Sequence, residues 1–208
     1  IDANNIQILS TLGLLYRSCN RNTDALETFE KVLAIEKNNY IAILNMGYIH
    51  GDRLEYNEAI HYLKIAIRFK ESNSTIMNYL AYLYVQIHQW QDALRVYEAS
   101  LKLDKFNKDT YFNYGSALAI SGDIDRAIII FKRASQILPS DSNLYERLGT
   151  LQTKNGDIEN SIKSFEEAIM LDQNNFGAHY GLATSLLLVQ NYTRGFDEHE
   201  YRYKLHGD

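Results

Sequence analysis

The chain has 208 residues, 46% of them apolar and 23% charged, the balance of a folded protein with a sizeable core. Lys and Arg number 21 against 26 Asp and Glu, a net charge of −5 that offers no basic stripe to nucleic-acid phosphates. The single cysteine, Cys19, excludes an internal disulfide framework, and the longest apolar runs, such as 186–189, fall far short of the roughly 20 residues that cross a bilayer. These features predict a chain with no nucleic-acid partner and no membrane insertion, at home in a reducing, cytoplasmic compartment. Ile1 in place of an initiator Met predicts a piece of something longer.

One proline, Pro139, leaves little to interrupt helices, and no strand-like alternation persists over a useful length. The expectation is all-α. Small residues then recur at a fixed period: Gly13, Gly47, Ala81, Gly115, Gly149 and Ala183 stand 34 residues apart. Ala25, Ala59, Ala93, Ala127, Ser161 and Gly195 keep the same step, as do Phe29, Leu63, Tyr97, Phe131, Phe165 and His199. A last series reads Val32, Ala66, Ser100, Ala134, Ala168 and Arg202.

In chain order, the period predicts helix-turn-helix units at 6–39, 40–73, 74–107, 108–141 and 142–175, then a capping unit at 176–208, all within one domain spanning 1–208. The first unit carries Leu12-Gly13, Tyr16, Ala25 and Phe29, with Cys19 late in its first helix as an inert packing residue. In the second, Gly51-Asp52 arrives early and predicts a shortened first helix or a distorted turn. Trp90 opens the second helix of the third. Ser121-Gly122-Asp123 in the fourth and Asn155-Gly156-Asp157 in the fifth put Gly after one helix and a capping Asp before the next. At the sixth the signature fails, and residues 192–205 are expected to form a polar-faced capping helix.

Tyr111, Tyr114-Gly115, Ala127, Phe131, Ala134 and Pro139 in the fourth unit, with their counterparts along nearly the whole chain, resemble the tetratricopeptide repeat. The resemblance implies a right-handed α-solenoid with first helices lining a concave groove. No unit buries its apolar face alone, so stacking must build the core. Tyr16, Tyr97 and Tyr145 fall on signature positions and are expected to be structural.

Positions two, five, six and nine of each first helix share one side, which in this family faces the groove. They supply the candidate peptide-binding residues: Asn45 and Tyr48 from the second unit, Asn78, Tyr79 and Tyr82 from the third, Phe112 and Asn113 from the fourth, and Arg147 from the fifth. An Asn amide both donates to and accepts from a peptide backbone. Asn45 and Asn113 hold the same position two units apart, similar to the asparagine ladder of O-linked sugar-transferring enzymes, although Thr11, Tyr79 and Arg147 interrupt it. Ser10, Leu14, Thr75 and Tyr79 stand where a chaperone-binding carboxylate clamp would place Lys, Arg or Asn, so that clamp is not expected.

Nothing in the sequence predicts catalysis, a cofactor or a metal: the histidines lack ligand spacing, and there is no phosphate loop or nucleophile elbow. The leading expectation is a scaffold that binds an extended protein or peptide segment in its groove. Residues 195–203 resemble the segment that closes the array in bacterial tetratricopeptide proteins with a glycosyltransferase-like domain downstream, with Arg202 a structural residue at the junction. That resemblance implies an alternative, the acceptor-recognition region of such an enzyme. A third reading is homotypic assembly into a homo-oligomer.

Overall fold

The computed structural model describes residues 5–69 and 73–201. Twelve helices and no strand occur among these residues. They divide between two compact units, 1–103 and 104–208.

Unit 1 holds α1 (Ile6–Ser18), α2 (Asn22–Ile35), α3 (Tyr40–Asp52), α4 (Tyr56–Phe69), α5 (Ser74–Gln86) and α6 (Trp90–Leu103). Unit 2 holds α7 (Lys108–Ile120), α8 (Ile124–Ile137), α9 (Ser142–Lys154), α10 (Ile158–Leu171), α11 (Phe176–Leu188) and α12 (Tyr192–Glu200). Within each unit the helices pair in sequence, and the second helix of one pair packs on the first helix of the next. The fold is an all-α helical-repeat solenoid.

Two backbone devices repeat with the sequence. Before every first helix an Asx side chain accepts a backbone N–H of the opening turn: Asn5, Asn39, Asn73, Asn107, Asp141 and Asn175. After every first helix a left-handed residue reverses the chain: Asn20, Leu54, His88, Gly122, Gly156 and Gln190. The residue following each of these donates its N–H to a carbonyl five positions back, as Arg21 does to Tyr16 and Asp157 to Gln152.

Each core grows from the same contacts. In unit 1, Ala25, Phe29 and Val32 of α2 close against Ala42, Met46 and Ile49 of α3. In unit 2, Phe165 and Ala168 of α10 meet Ala178, Leu182 and Leu186 of α11. Close approach is what the small positions provide: a Cβ on Gly115 would overlap the Phe131 ring. Each fully buried aromatic contributes roughly 1.5–3 kcal/mol of transfer energy.

Two expectations are corrected. The helix α3 is not shortened: it runs 13 residues like its counterparts, with Gly51 inside it, and Leu54 supplies the left-handed turn. Cys19 is not a packing residue; it caps the end of α1 and is exposed, because the chain has already begun to reverse there. Tyr97 is buried, whereas Tyr16 and Tyr145 are half-buried. Trp90 opens α6 beside the His88 ring in the turn, with centroids 5.6 Å apart. Residues 202–205 of the expected capping helix, and Arg202 with its junction role, lie outside the described residues.

Candidate functional site

In unit 1 the first helices bring Tyr48, Tyr79 and Tyr82 into one continuous row. The Tyr48 and Tyr79 centroids are 5.2 Å apart with planes tilted at 46°, and Tyr79 stacks on Tyr82 at 6.0 Å and 17°. Helical spacing explains the second contact, since Tyr79 and Tyr82 are three residues apart on α5. Packing explains the first. Gly51 leaves a notch in α3 into which the Tyr79 hydroxyl fits; a Cβ there would overlap it.

Burial, with the Asp52 carboxylate and two neighbouring tyrosines adding to it, pushes the Tyr79 hydroxyl up to about 12. Burial also raises that of Tyr48, against the opposing pull of the Arg17 guanidinium. Tyr48 and Tyr79 are therefore neutral near pH 7, able to donate as well as accept. None of the three hydroxyls makes a hydrogen bond with another described residue. Tyr82, at the open end, is 40% exposed.

Arg17 of α1 extends the row. Its guanidinium carbon sits 4.8 Å from the Tyr48 centroid, and its Nη1 donates to Asn45 Oδ1 at 2.7 Å. The Asn45 Nδ2 in turn donates to the Ile41 carbonyl at 2.7 Å. Asn45, expected to grip a peptide backbone, is only 6% exposed, and each end of its amide already makes one bond within the protein. Arg17 escaped the sequence reading because it stands at position twelve of its unit, outside the four positions scanned. Its spacing of i, i+28 to Asn45 carries no helical signal.

The other candidates fall elsewhere. Asn78 is half-buried on α5. Phe112, Asn113 and Arg147 belong to unit 2. Phe112 lies edge-on to Phe131 at 5.8 Å, with Lys108 Nζ 5.5 Å from its ring. Lys108 also pairs with Asp141, the residue that caps α9. Asn113 is half-buried on α7, and Arg147 is exposed on α9.

No cluster of His, Cys, Asp and Glu suited to a metal ion occurs among the described residues, and no described helix is long and apolar enough to cross a membrane. Glu198 instead pairs with His179 at 2.5 Å.

Comparisons with known proteins agree with this architecture. Profiles described as tetratricopeptide repeat match residues 8–39, 78–142 and 142–175, together more than half of the chain. The BBSome complex member BBS4 of Bos taurus is 23% identical over 171 residues, covering 82% of this chain and 33% of that protein. This chain therefore spans about a third of that curated relative's length. Among solved structures, the MamA protein superposes with a TM-score of 0.74 at 22% identity, covering 81% of this chain and 92% of that one. YrrB, described as a TPR protein with an unusual peptide-binding site, superposes at 0.69 with 20% identity, covering 85% and 91%. With its 34-residue period, its paired helices and these matched segments, the chain belongs to the tetratricopeptide-repeat family.

Proposed function

We propose that this chain is a protein-interaction scaffold, and that the first-helix face of unit 1 holds an extended polypeptide segment across Tyr48, Tyr79 and Tyr82. The observation that carries the proposal is the row itself: three tyrosine rings in succession, with hydroxyls that make no hydrogen bond within the described protein. Tyrosine suits such a face because it offers large area at low rotamer cost and keeps a polar handle for a partner's backbone. The similar fold of YrrB, which carries a peptide-binding site, supports the same reading. Asn45 acts as a positioning residue for Arg17. Asn78 flanks the face on α5, and Phe112, Asn113 and Arg147 make a separate first-helix surface on unit 2 that would take its own contacts.

Capture of a partner from the native host on immobilised chain, followed by titration of that purified partner, tests the proposal. Tyr79→Ala and Tyr82→Ala should each weaken binding about ten-fold or more, the effect of truncating an aromatic anchor. Glu27→Ala, Lys31→Ala and Arg95→Ala on the second helices should leave it unchanged. The opposite pattern moves the binding face to the second helices.

A further inference from the structure

Arg17 is a cation held in place with no acidic partner among the described residues. Its guanidinium lies over the Tyr48 ring and is tied to Asn45 by one N–H, while Asn45 is itself anchored on the Ile41 carbonyl. No carboxylate lies within ion-pair reach of it among the described residues, although the chain carries 26 of them. Arg21, Arg53, Arg95, Arg126 and Arg194 each pair with a carboxylate, and Arg68, Arg133 and Arg147, which make no ion pair among the described residues, are exposed, whereas Arg17 is half-buried. Arg17 is half-buried, so its charge is less screened than those on the open surface. A guanidinium offers five N–H donors in a planar fork, and Asn45 takes one of them.

We infer that the polypeptide held on this face carries an acidic side chain that docks on Arg17, with an apolar residue lying over Tyr79 and Tyr82. This rests on the peptide-binding reading above and names the partner's chemistry. The carboxylate would accept from the remaining N–H groups of a fork already fixed by stacking and by Asn45, so little side-chain freedom is lost on binding. The direction of the segment follows from charge. The Tyr79 hydroxyl seats against Gly51, next in sequence to the Asp52 carboxylate that disfavours a second acid there, while Arg17 over Tyr48 draws the acid to the α1 end and leaves the neutral residue at the α5 end. Steps of 4.8, 5.2 and 6.0 Å bound the separation of the two contacts, which an extended chain of about 3.3 Å per residue covers in about five residues or fewer. The arrangement differs from a carboxylate clamp: the cation comes from position twelve of one helix and is backed by a tyrosine ring.

The test pans a displayed library of random dodecapeptides on the full chain, then titrates synthetic peptides from the selected pool in Glu and Gln versions differing at one position. The expected result is enrichment of Asp or Glu several residues from an apolar side chain. The Glu peptide should bind roughly ten-fold or more tightly than its Gln twin, the preference fading as salt rises. Arg17→Gln should erase that preference, and Arg17→Lys should restore part of it without the bidentate fork. Asn45→Ala should reduce it while leaving the Gln peptide's affinity intact, and thermal melts of each variant check that the fold persists. Peptides that bind through Tyr79 and Tyr82 with equal affinity in Glu and Gln forms would overturn the inference and leave the peptide-binding face standing. A pool insensitive to Tyr79→Ala and Tyr82→Ala, or no selected binder at all, would overturn both.

Discussion

At Leu54 the backbone takes φ +63° and at Gln190 also +63°, with His88 at +58°, a region that costs an L-residue about 1–2 kcal/mol. The repeat demands a left-handed residue at this place in every helix pair, and only Gly122 and Gly156 meet it without a side-chain penalty. The turn forms at Leu54 regardless because the packing of α3 on α4 and the bond from Glu55 N–H to the His50 carbonyl over-determine it. Leu54 is well exposed, so its side chain contributes little burial. Leu54→Gly should therefore raise stability by roughly 0.5 kcal/mol or more, the relieved strain exceeding the added chain entropy of glycine. A chemical-denaturation midpoint that stays put or falls would mean the turn is not strained.

A pair of helices is held by more than its apolar stripe where the signature residues run out. The helix α12 carries Gly195 and His199 at places where earlier second helices carry Ala or Ser and Phe, Leu or Tyr, and it compensates with polar and stacking contacts to α11. His179, 6% exposed, meets Glu198 Oε2 through Nδ1 at 2.5 Å and the Gln173 carbonyl through Nε2 at 3.1 Å. The Tyr201 ring stacks on His179 at 3.7 Å, and its hydroxyl donates to that same carbonyl. Removing a buried partner in such a cluster leaves the rest unsatisfied, at a cost of about 1–3 kcal/mol. His179→Ala should thus raise amide hydrogen exchange in α12 about ten-fold or more while α9 and α10 keep their protection. Uniform acceleration across unit 2 would instead make the cluster part of the common core, and no change would make it dispensable.

Across the whole chain, equivalent positions differ in what covers them. Leu15 on α1 is 57% exposed, whereas Leu83, two periods later on α5, is fully buried. Ile8 and Leu12 show the same contrast with Ile76 and Leu80. The energetic consequence is direct, because a buried leucine truncated to alanine loses both transfer energy and packing. Leu83→Ala should cost about 2–5 kcal/mol and Leu15→Ala about 0.5 kcal/mol or less, despite identical chemistry at equivalent places in the repeat. Urea unfolding of the two variants side by side gives the comparison. Equal losses would mean that Leu15 is covered in solution.

The sequence by itself determined the all-α class, the 34-residue period and the pairing of helices, since these follow from residues acting on near neighbours or on the same position one unit away. Gly122 and Gly156 were legible as left-handed turns and Asp123 and Asp157 as caps, each a local rule expressed in a single residue. The Asx caps before the first helices were equally visible at the same period and went unread. Tertiary structure alone decided that Leu54, His88 and Gln190 take the conformation of glycine, and that Gly51 remains helical to admit a tyrosine hydroxyl. It also decided that Asn45 faces inward to hold Arg17 across 28 residues. Those outcomes depend on what a neighbouring helix presents at a given distance. A helical register records which side a residue occupies, and only packing settles whether its polar atoms are already engaged when a partner arrives.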